Sequence, residues 1–234
     1  MKPIHSIKHV FFDLDHTLWD FEKNSKLEIL DIWKNYNLHQ KGVSLPDEFL
    51  KVYERINSIC WAKYRANELN KEDLKFIRFY ETLNYYGIDD MKMAKQMGIT
   101  YLENSPKRTC LISGTIETLD YLAQKYKLHI ITNGFTEVQL IKLNNCGLTN
   151  YFETIVTSEQ VGCTKPNPKI FNFALDKANA LNIESVYVGD NFKVDIEGAV
   201  HAGMNALFYN PIKEKYDLEI LGDITSLSQI KSIL

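Results

Sequence analysis

Five short apolar segments alternate with stretches of helical periodicity, and this pattern constrains the fold of the chain more than any other feature. The segments are rich in β-branched and aromatic residues without strict polar–apolar alternation, as is typical of strands covered by helices on both faces. They are His9–Asp13, Leu128–Thr132, Thr154–Thr157, Ser185–Gly189 and Ala206–Tyr209. Helical patterns cover Thr136–Asn145, Pro168–Leu181 and Asp195–Ala202. Repeated strand–helix units predict an α/β fold with a Rossmann-like three-layer α/β/α core and a parallel sheet.

One long interval, residues 19–105, lacks any convincing strand pattern. Apolar residues recur there at helical spacing in Leu27–Trp33, Phe49–Trp61 and Leu74–Leu83. We therefore predict an inserted, all-helical cap domain at 19–105 and a core domain formed by 1–18 and 106–234. Because the insertion follows directly after Asp13 and Asp15, we expect it to act as a lid over any site at those residues.

Composition excludes several classes of function. A formal net charge of -3 and a pI near 6.1 give no electrostatic reason to expect nucleic-acid or membrane binding. Residues 1–8 lack the apolar core of a signal peptide, and no stretch approaches the ~18 apolar residues that span a bilayer. The four cysteines are far apart and form no C-x-x-C pair, which argues against zinc or redox sites. Free thiols suit a reducing compartment, so we expect a cytoplasmic protein.

Polar residues follow the predicted strands, and ligands of open α/β sheets bind outside the carboxyl ends of strands. The candidates are Asp13, Asp15, Thr132, Asn133, Lys165, Asp190 and Asp195. All but Asp190 have a purely structural alternative: a polar turn for the aspartate pair, helix capping for Thr132, Asn133 or Asp195, and a solvated surface position for Lys165. Taken together, carboxylates, a lysine and a hydroxyl at one sheet edge favour a site for phosphate and Mg²⁺. Oxygen ligands without His or Cys nearby suit Mg²⁺ better than zinc.

These residues lie in four motifs, "DLDHT", "ITN", "TKPNP" and "VGDNFKVD", in that order. The motifs resemble those of the haloacid-dehalogenase-like hydrolase superfamily, and the match spans Val10 to Tyr209. The helical insertion falls where that superfamily places its first-position cap. The longer stretches "FDLDHTLWDFEKNS" and "ITNGFTEVQLIKLNNCGL" look like the branch of YjjG/YfnB-like pyrimidine 5'-nucleotidases.

The resemblance implies a role for each core residue. Asp13 would be the nucleophile that forms an aspartyl-phosphate, and Asp15 the acid and base. Mg²⁺ would be held by Asp13, Asp190 and the main-chain carbonyl of Asp15, and Asp195 would orient a metal-bound water or Lys165. The phosphoryl oxygens would be bound by the remaining candidates, Thr132, Asn133 and Lys165.

Chemistry separates the activities of such a site. A dehalogenase expels halide without a proton or a metal, so Asp15 and Asp190 favour phosphomonoester cleavage. The resemblance to the nucleotidase branch implies a nucleoside 5'-monophosphate as substrate, and we expect a monomer or homodimer as the working form. The alternatives are a small sugar-phosphate or phosphoglycolate-type phosphatase, a phosphomutase, and a non-catalytic module that binds a phosphorylated ligand.

Substrate identity is expected to depend on the helical insertion. Aromatic and cationic side chains there suit a base or a ribose, and the candidates are Asn57, Trp61, Tyr64, Arg65, Arg78 and Phe79. The alternative is that these aromatics form the helix-packing core and that the arginines are solvated.

Overall fold

The chain divides into two compact units. The computed structural model describes residues 7–234. Residues 7–21 and Thr109–Leu234 form one unit, which we call the α/β unit. Glu22–Arg108 form the other, which we call the helical unit.

The helical unit is built from helices α1 (Phe21–Asn35), α2 (Pro46–Arg65), α3 (Lys71–Tyr85) and α4 (Met91–Asn104). Proline in the first turn begins α2, and the side chains of Asn70 and Asp90 cap α3 and α4 by accepting from backbone N–H groups. The three helical segments seen in the sequence lie inside α1, α2 and α3. Helix α4 was not predicted, although Ala94, Met97 and Tyr101 are buried along it.

The α/β unit contains one sheet, in which all neighbouring strands of the described residues are parallel. Its strands are β1 (His9–Phe12), β2 (Lys127–Thr132), β3 (Phe152–Thr157), β4 (Ser185–Gly189), β5 (Asn205–Tyr209) and β6 (Gly222–Ile224). The order is β3-β2-β1-β4-β5-β6. Strand β6 escaped prediction because three residues are too few for a recognisable pattern.

Helices cover both faces of this sheet. They are α5 (Thr115–Ala123), α6 (Thr136–Asn145), the single turn α7 (Ser158–Val161), α8 (Pro168–Ala178) and α9 (Glu197–His201). Along β1, Val10 and Phe12 pack into one apolar cluster with α5 and α6, whereas Phe11 packs into another with α8 and α9. Successive strand residues point to opposite faces, so the sheet is the middle of three layers. The predicted α/β fold class is confirmed.

Two helix bounds differ from the sequence prediction. Helix α8 ends at Ala178, because Asn179 adopts a left-handed conformation with φ of 50°. The helix predicted from Asp195 is instead a π-helical turn at Phe192–Ile196 followed by α9. Within residues 7–234, no helix combines the length and the apolar composition needed to cross a bilayer.

The strand order creates a crevice at the carboxyl end of the sheet. Strand β1 lies between β2 and β4. The chain therefore adds β2 and β3 on one side of β1, and then β4, β5 and β6 on its other side. In open α/β sheets such a switch point is where ligands bind. The segments that follow β1 and β4 begin with Asp13 and Asp190, which places both at this crevice.

Candidate functional site

Asp13 and Lys165 form a buried ion pair at the end of β1. The backbone N–H of Asp13 still donates to the carbonyl of Val188 at 2.9 Å, so the residue is fixed by the sheet. Lys165 Nζ lies 2.7 Å from Asp13 Oδ1. Lys165 is only 2% exposed and Asp13 only 7%. A buried charge requires a partner, and each supplies one to the other.

Lys165 also contacts two further acceptors. Its Nζ lies 2.6 Å from Asp195 Oδ1 and 2.8 Å from the hydroxyl of Tyr187. The three N–H donors of the ammonium are therefore all used. The main chain of Lys165 is held as well: its N–H donates to Asn133 Oδ1 at 2.7 Å, and Asn133 Nδ2 donates to its carbonyl at 3.1 Å. The lysine is a fixed positive charge.

Asp190 and Asp195 complete an acidic cluster with Asp13. One carboxylate oxygen from each of the three lies within 4.8 Å of the others. Thr17 Oγ1 donates to Asp190 Oδ1 at 3.1 Å. Asp195 packs directly against Gly189, where an added Cβ would lie 2.6 Å from the Cβ of the aspartate. The three carboxylates thus lie around the buried cation Lys165, which contacts two of them, Asp13 and Asp195.

This imbalance of charge appears in the pKa values. Burial, together with the charges of Asp195 and Asp190, raises the pKa of Asp13 to about 8 against the opposing effect of Lys165. Burial and the charge of Asp195 raise the pKa of Asp190 to about 7. Burial alone would lower the pKa of Lys165, but the Asp13 and Asp195 carboxylates outweigh it and raise that pKa. An additional cation would favour the ionised form of Asp13 and Asp190, the two carboxyl groups whose pKa is raised.

Asp15 is held by two side chains of α6. Gln139 Nε2 donates to Asp15 Oδ2 at 2.7 Å, and Lys142 Nζ donates to Asp15 Oδ1 at 2.5 Å. Gln139 Nε2 also lies 3.0 Å from Thr132 Oγ1, so it links the aspartate to the threonine at the end of β2. Burial would raise the pKa of Asp15, but the Lys142 charge and the hydrogen bonds from Lys142 and Gln139 outweigh it and lower that pKa.

Helix capping does not explain the residues after β2. Thr132 Oγ1 accepts from the N–H of Gly134 at 3.1 Å, within the turn that precedes α6. The first N–H of α6, that of Thr136, donates to Glu159 Oε2 at 2.7 Å. Asn133 is engaged with the main chain of Lys165. Likewise, the cap of the π-helical turn is Asn191, whose side chain accepts from the Val194 N–H, and Asp195 is free to bind Lys165.

The specificity candidates lie in the helical unit, where several of them contact one another. Arg78 donates to Asn57 Oδ1 at 3.0 Å, and both residues are buried. The guanidinium carbon of Arg78 also lies 4.7 Å from the ring centre of Tyr101. Trp61 packs edge-on against Tyr64 at 5.5 Å between ring centres. Asn57 and Arg78 therefore form part of the polar interior of this unit, and Trp61 and Arg65 are partly exposed.

Sequence reasoning missed Tyr187, Gln139 and Lys142. A tyrosine inside an apolar strand carries a hydroxyl that needs a partner when buried, and this was the available signal for Tyr187. Gln139 and Lys142 are three residues apart in a helix and therefore share one face. Their position in the helix after "ITNG" was the signal, but polar helix residues are solvated in most proteins.

A family model described as haloacid dehalogenase-like hydrolase matches residues 10–209. The protein YfnB of Bacillus subtilis is 27% identical over 229 residues, which cover 96% of this chain and 94% of YfnB. The pyrimidine 5'-nucleotidase YjjG of Escherichia coli is 30% identical over 203 residues, covering 86% and 85%. The pyrimidine 5'-nucleotidase PynA of Streptococcus pneumoniae is 28% identical over 207 residues, covering 87% and 84%.

A solved structure of YfnB, crystallised with magnesium, has the same fold. Its TM-score is 0.88 at 23% identity, and the alignment covers 98% of this chain and 99% of that one. The fold described above is therefore one already seen in a solved structure.

Proposed function

Because this chain belongs to the haloacid dehalogenase-like hydrolase family, we propose that it is a Mg²⁺-dependent phosphomonoesterase that acts on nucleoside 5'-monophosphates through an aspartyl-phosphate. Membership confirms the resemblance drawn from the four sequence motifs. The observation that carries the proposal is the buried contact of Asp13 with Lys165, beside Asp190 at the carboxyl ends of β1 and β4.

The donor set fits Mg²⁺. The acidic cluster offers carboxylate oxygens, which are the ligands that hard cations prefer. Both oxygens of Asp195 are engaged, with Lys165 and with the Asn191 N–H, so we assign Asp195 to orienting the lysine. Asp13, Asp190 and the main-chain carbonyl of Asp15 would hold the ion. When bound, the ion would neutralise the carboxylates and the incoming phosphate.

Asp13 is the nucleophile in this proposal. One of its carboxylate oxygens forms a bond to phosphorus while the bond from phosphorus to the nucleoside oxygen breaks. The departing alkoxide takes a proton from Asp15. Water then attacks phosphorus, its proton passes to Asp15, and the bond between phosphorus and Asp13 breaks to release phosphate.

Lys165 and Thr132 would stabilise the transferring phosphoryl oxygens. Lys165 is a fixed charge next to the nucleophile, and preorganised charge is worth most in a site from which water is excluded. Asn133 uses its side chain on the main chain of Lys165, so its effect on phosphate would act through the placement of that lysine.

The nucleotide as substrate is supported by two relatives, YjjG and PynA, which are named pyrimidine 5'-nucleotidases. Asp15, as acid and base, suits an alkoxide leaving group, because an alkoxide needs a proton on departure and a halide does not. The helical unit would select the substrate, with Asn57, Trp61, Arg65 and Arg78 as the specificity candidates. The free cysteines suit a reducing compartment such as the cytoplasm.

Phosphate release from a panel of phosphomonoesters, with Mg²⁺ and with EDTA, tests the proposal. We expect turnover of UMP, dUMP and dTMP that EDTA abolishes and that Asp13→Asn lacks. No turnover on any ester would contradict the phosphatase assignment. Preference for sugar phosphates would contradict only the nucleotide assignment.

A further inference from the structure

Both oxygens of the Asp15 carboxylate are held from one face of α6. Gln139 Nε2 lies 2.7 Å from Oδ2, and Lys142 Nζ lies 2.5 Å from Oδ1. The two donors are three residues apart, so a single helix presents both to the carboxylate. Asp15 itself follows the end of β1 and lies outside any helix or strand. Its orientation therefore depends on α6.

The two donors are buried and fixed by other contacts. Gln139 is fully buried and fills the space above Gly134, where an added Cβ would lie 1.6 Å from Nε2. Lys142 is 4% exposed, and its Nζ lies 4.1 Å from the ring centre of Trp19. A lysine pressed against an aromatic ring and a glutamine against a glycine have few other rotamers available.

The carboxylate remains accessible on its other side. The Asp15 side chain is 23% exposed, compared with 5% for that of Lys142. A carboxylate has about four lone-pair sites, and the two donors from α6 use two of them. Each oxygen therefore keeps a site for a proton delivered from the open side.

We propose that Gln139 and Lys142 are positioning residues that hold Asp15 as the general base in hydrolysis of the aspartyl-phosphate. The proposal rests on the proposed function. In the step concerned, the oxygen of water bonds to phosphorus, the bond from phosphorus to the Asp13 oxygen breaks, and the proton of water passes to Asp15. A base held by two donors is oriented as a proton acceptor, and loss of either donor leaves it mobile.

Pre-steady-state turnover of p-nitrophenyl phosphate separates the two steps. Its leaving group needs no acid, so kcat/KM reports the transfer to Asp13 without the help of Asp15. In Lys142→Met we expect kcat to fall about 10–100-fold, as for a displaced catalytic group. KM should fall in parallel, kcat/KM should stay unchanged, and one p-nitrophenolate per enzyme should appear as a burst.

Three comparisons complete the test. In Gln139→Leu, kcat should likewise fall while kcat/KM stays unchanged. This second variant keeps the test valid if Lys142→Met fails to fold. Lys142→Arg should recover most of kcat, because it keeps a cationic donor. Lys177→Met is the matched control: this exposed lysine of α8 donates to the Ile155 carbonyl, and its loss should leave both constants unchanged.

The outcomes are distinguishable. An unchanged kcat in both variants, or an equal fall of kcat and kcat/KM, would overturn the positioning role and leave the phosphatase assignment intact. Absence of turnover by the wild-type enzyme, on this ester and on nucleotides, would overturn both.

Discussion

Lys165 Nζ lies 2.7 Å from Asp13 Oδ1 although 152 residues separate them in the chain. The contact joins the segment after β1 to the loop before α8. It places a permanent positive charge beside the carboxylate that we propose as nucleophile. The same ammonium holds Asp195, so one side chain connects the acidic cluster.

Replacement of this lysine should damage both stability and catalysis. Lys165→Met leaves the carboxylates of Asp13 and Asp195 buried without their partner, and breaking such a pair costs about 3–5 kcal/mol. Urea unfolding should show a lower midpoint, and Mg²⁺ should recover part of the loss by supplying positive charge. Turnover should fall about 10²–10³-fold. Lys177→Met serves as the control here too, and an unchanged midpoint for Lys165→Met would contradict the role given to the ion pair.

Removal of divalent cations should make stability fall as the pH rises. The pKa values of Asp13 and Asp190 are raised in the folded state, to about 8 and about 7, from 3.8. The folded state therefore binds more protons than the unfolded state between pH 4 and these values. In EDTA each group should lower the free energy of unfolding by about 1.4 kcal/mol for every unit by which the pH rises over that range.

Urea unfolding at pH 5 to 8.5, with EDTA and with Mg²⁺, measures this dependence. Mg²⁺ should flatten the profile, because it favours the ionised carboxylates. Asp190→Asn should flatten the EDTA profile by removing one of the two groups. A profile in EDTA that is already flat would contradict the raised pKa values.

Gly134→Ala should disturb Asp15 without changing any functional group. A Cβ at this position would lie 1.6 Å from Gln139 Nε2, so the glutamine must leave its place beside Asp15. We expect the kinetic split of Gln139→Leu, with kcat reduced about tenfold or more. Gly222→Ala is the matched control, since its Cβ would meet only Leu207 at an ordinary 3.8 Å. Equal kinetics for the two alanine variants would contradict the proposed placement of Gln139.

Two buried histidines should make the fold acid-sensitive. His9 Nδ1 and His129 Nε2 lie 3.0 Å apart, and burial, with the charge of His9, lowers the pKa of His129 to about 3. The unfolded state binds the extra proton below pH 6.5. The free energy of unfolding therefore loses nothing to His129 above pH 6.5, and it falls by about 1.4 kcal/mol per pH unit as the pH decreases towards 3.

His129→Gln should remove this dependence while keeping a hydrogen-bonding partner for His9. The difference in unfolding free energy between variant and wild type, measured in Mg²⁺ from pH 7.5 to 4.5, should shift in favour of the variant as the pH falls. His201→Gln, at an exposed position of α9, is the control. A difference that does not change with pH would contradict the buried neutral state of His129.

The sequence predicted the parts of the fold that arise from local pattern. Apolar runs gave β1 to β5, because a strand buried on both faces must be apolar along its length. Helical periodicity gave most of the helical unit and α6. Strand β6 and helices α4 and α5 were missed; the strand is short, and α4 has a mixed composition.

For the candidate site, the sequence by itself determined which chemical groups are present, namely Asp13, Asp15, Thr132, Lys165 and Asp190, and that all but Lys165 lie at or just after strand ends. Only the tertiary structure decided their partners. Tyr187 and Asp195 meet Lys165, and Gln139 and Lys142 meet Asp15 across 124 and 127 residues of chain. The physical reason is that a buried polar residue and a solvated one look the same in sequence. Packing of α6 against the sheet buries Gln139 and Lys142 and so decides what holds Asp15.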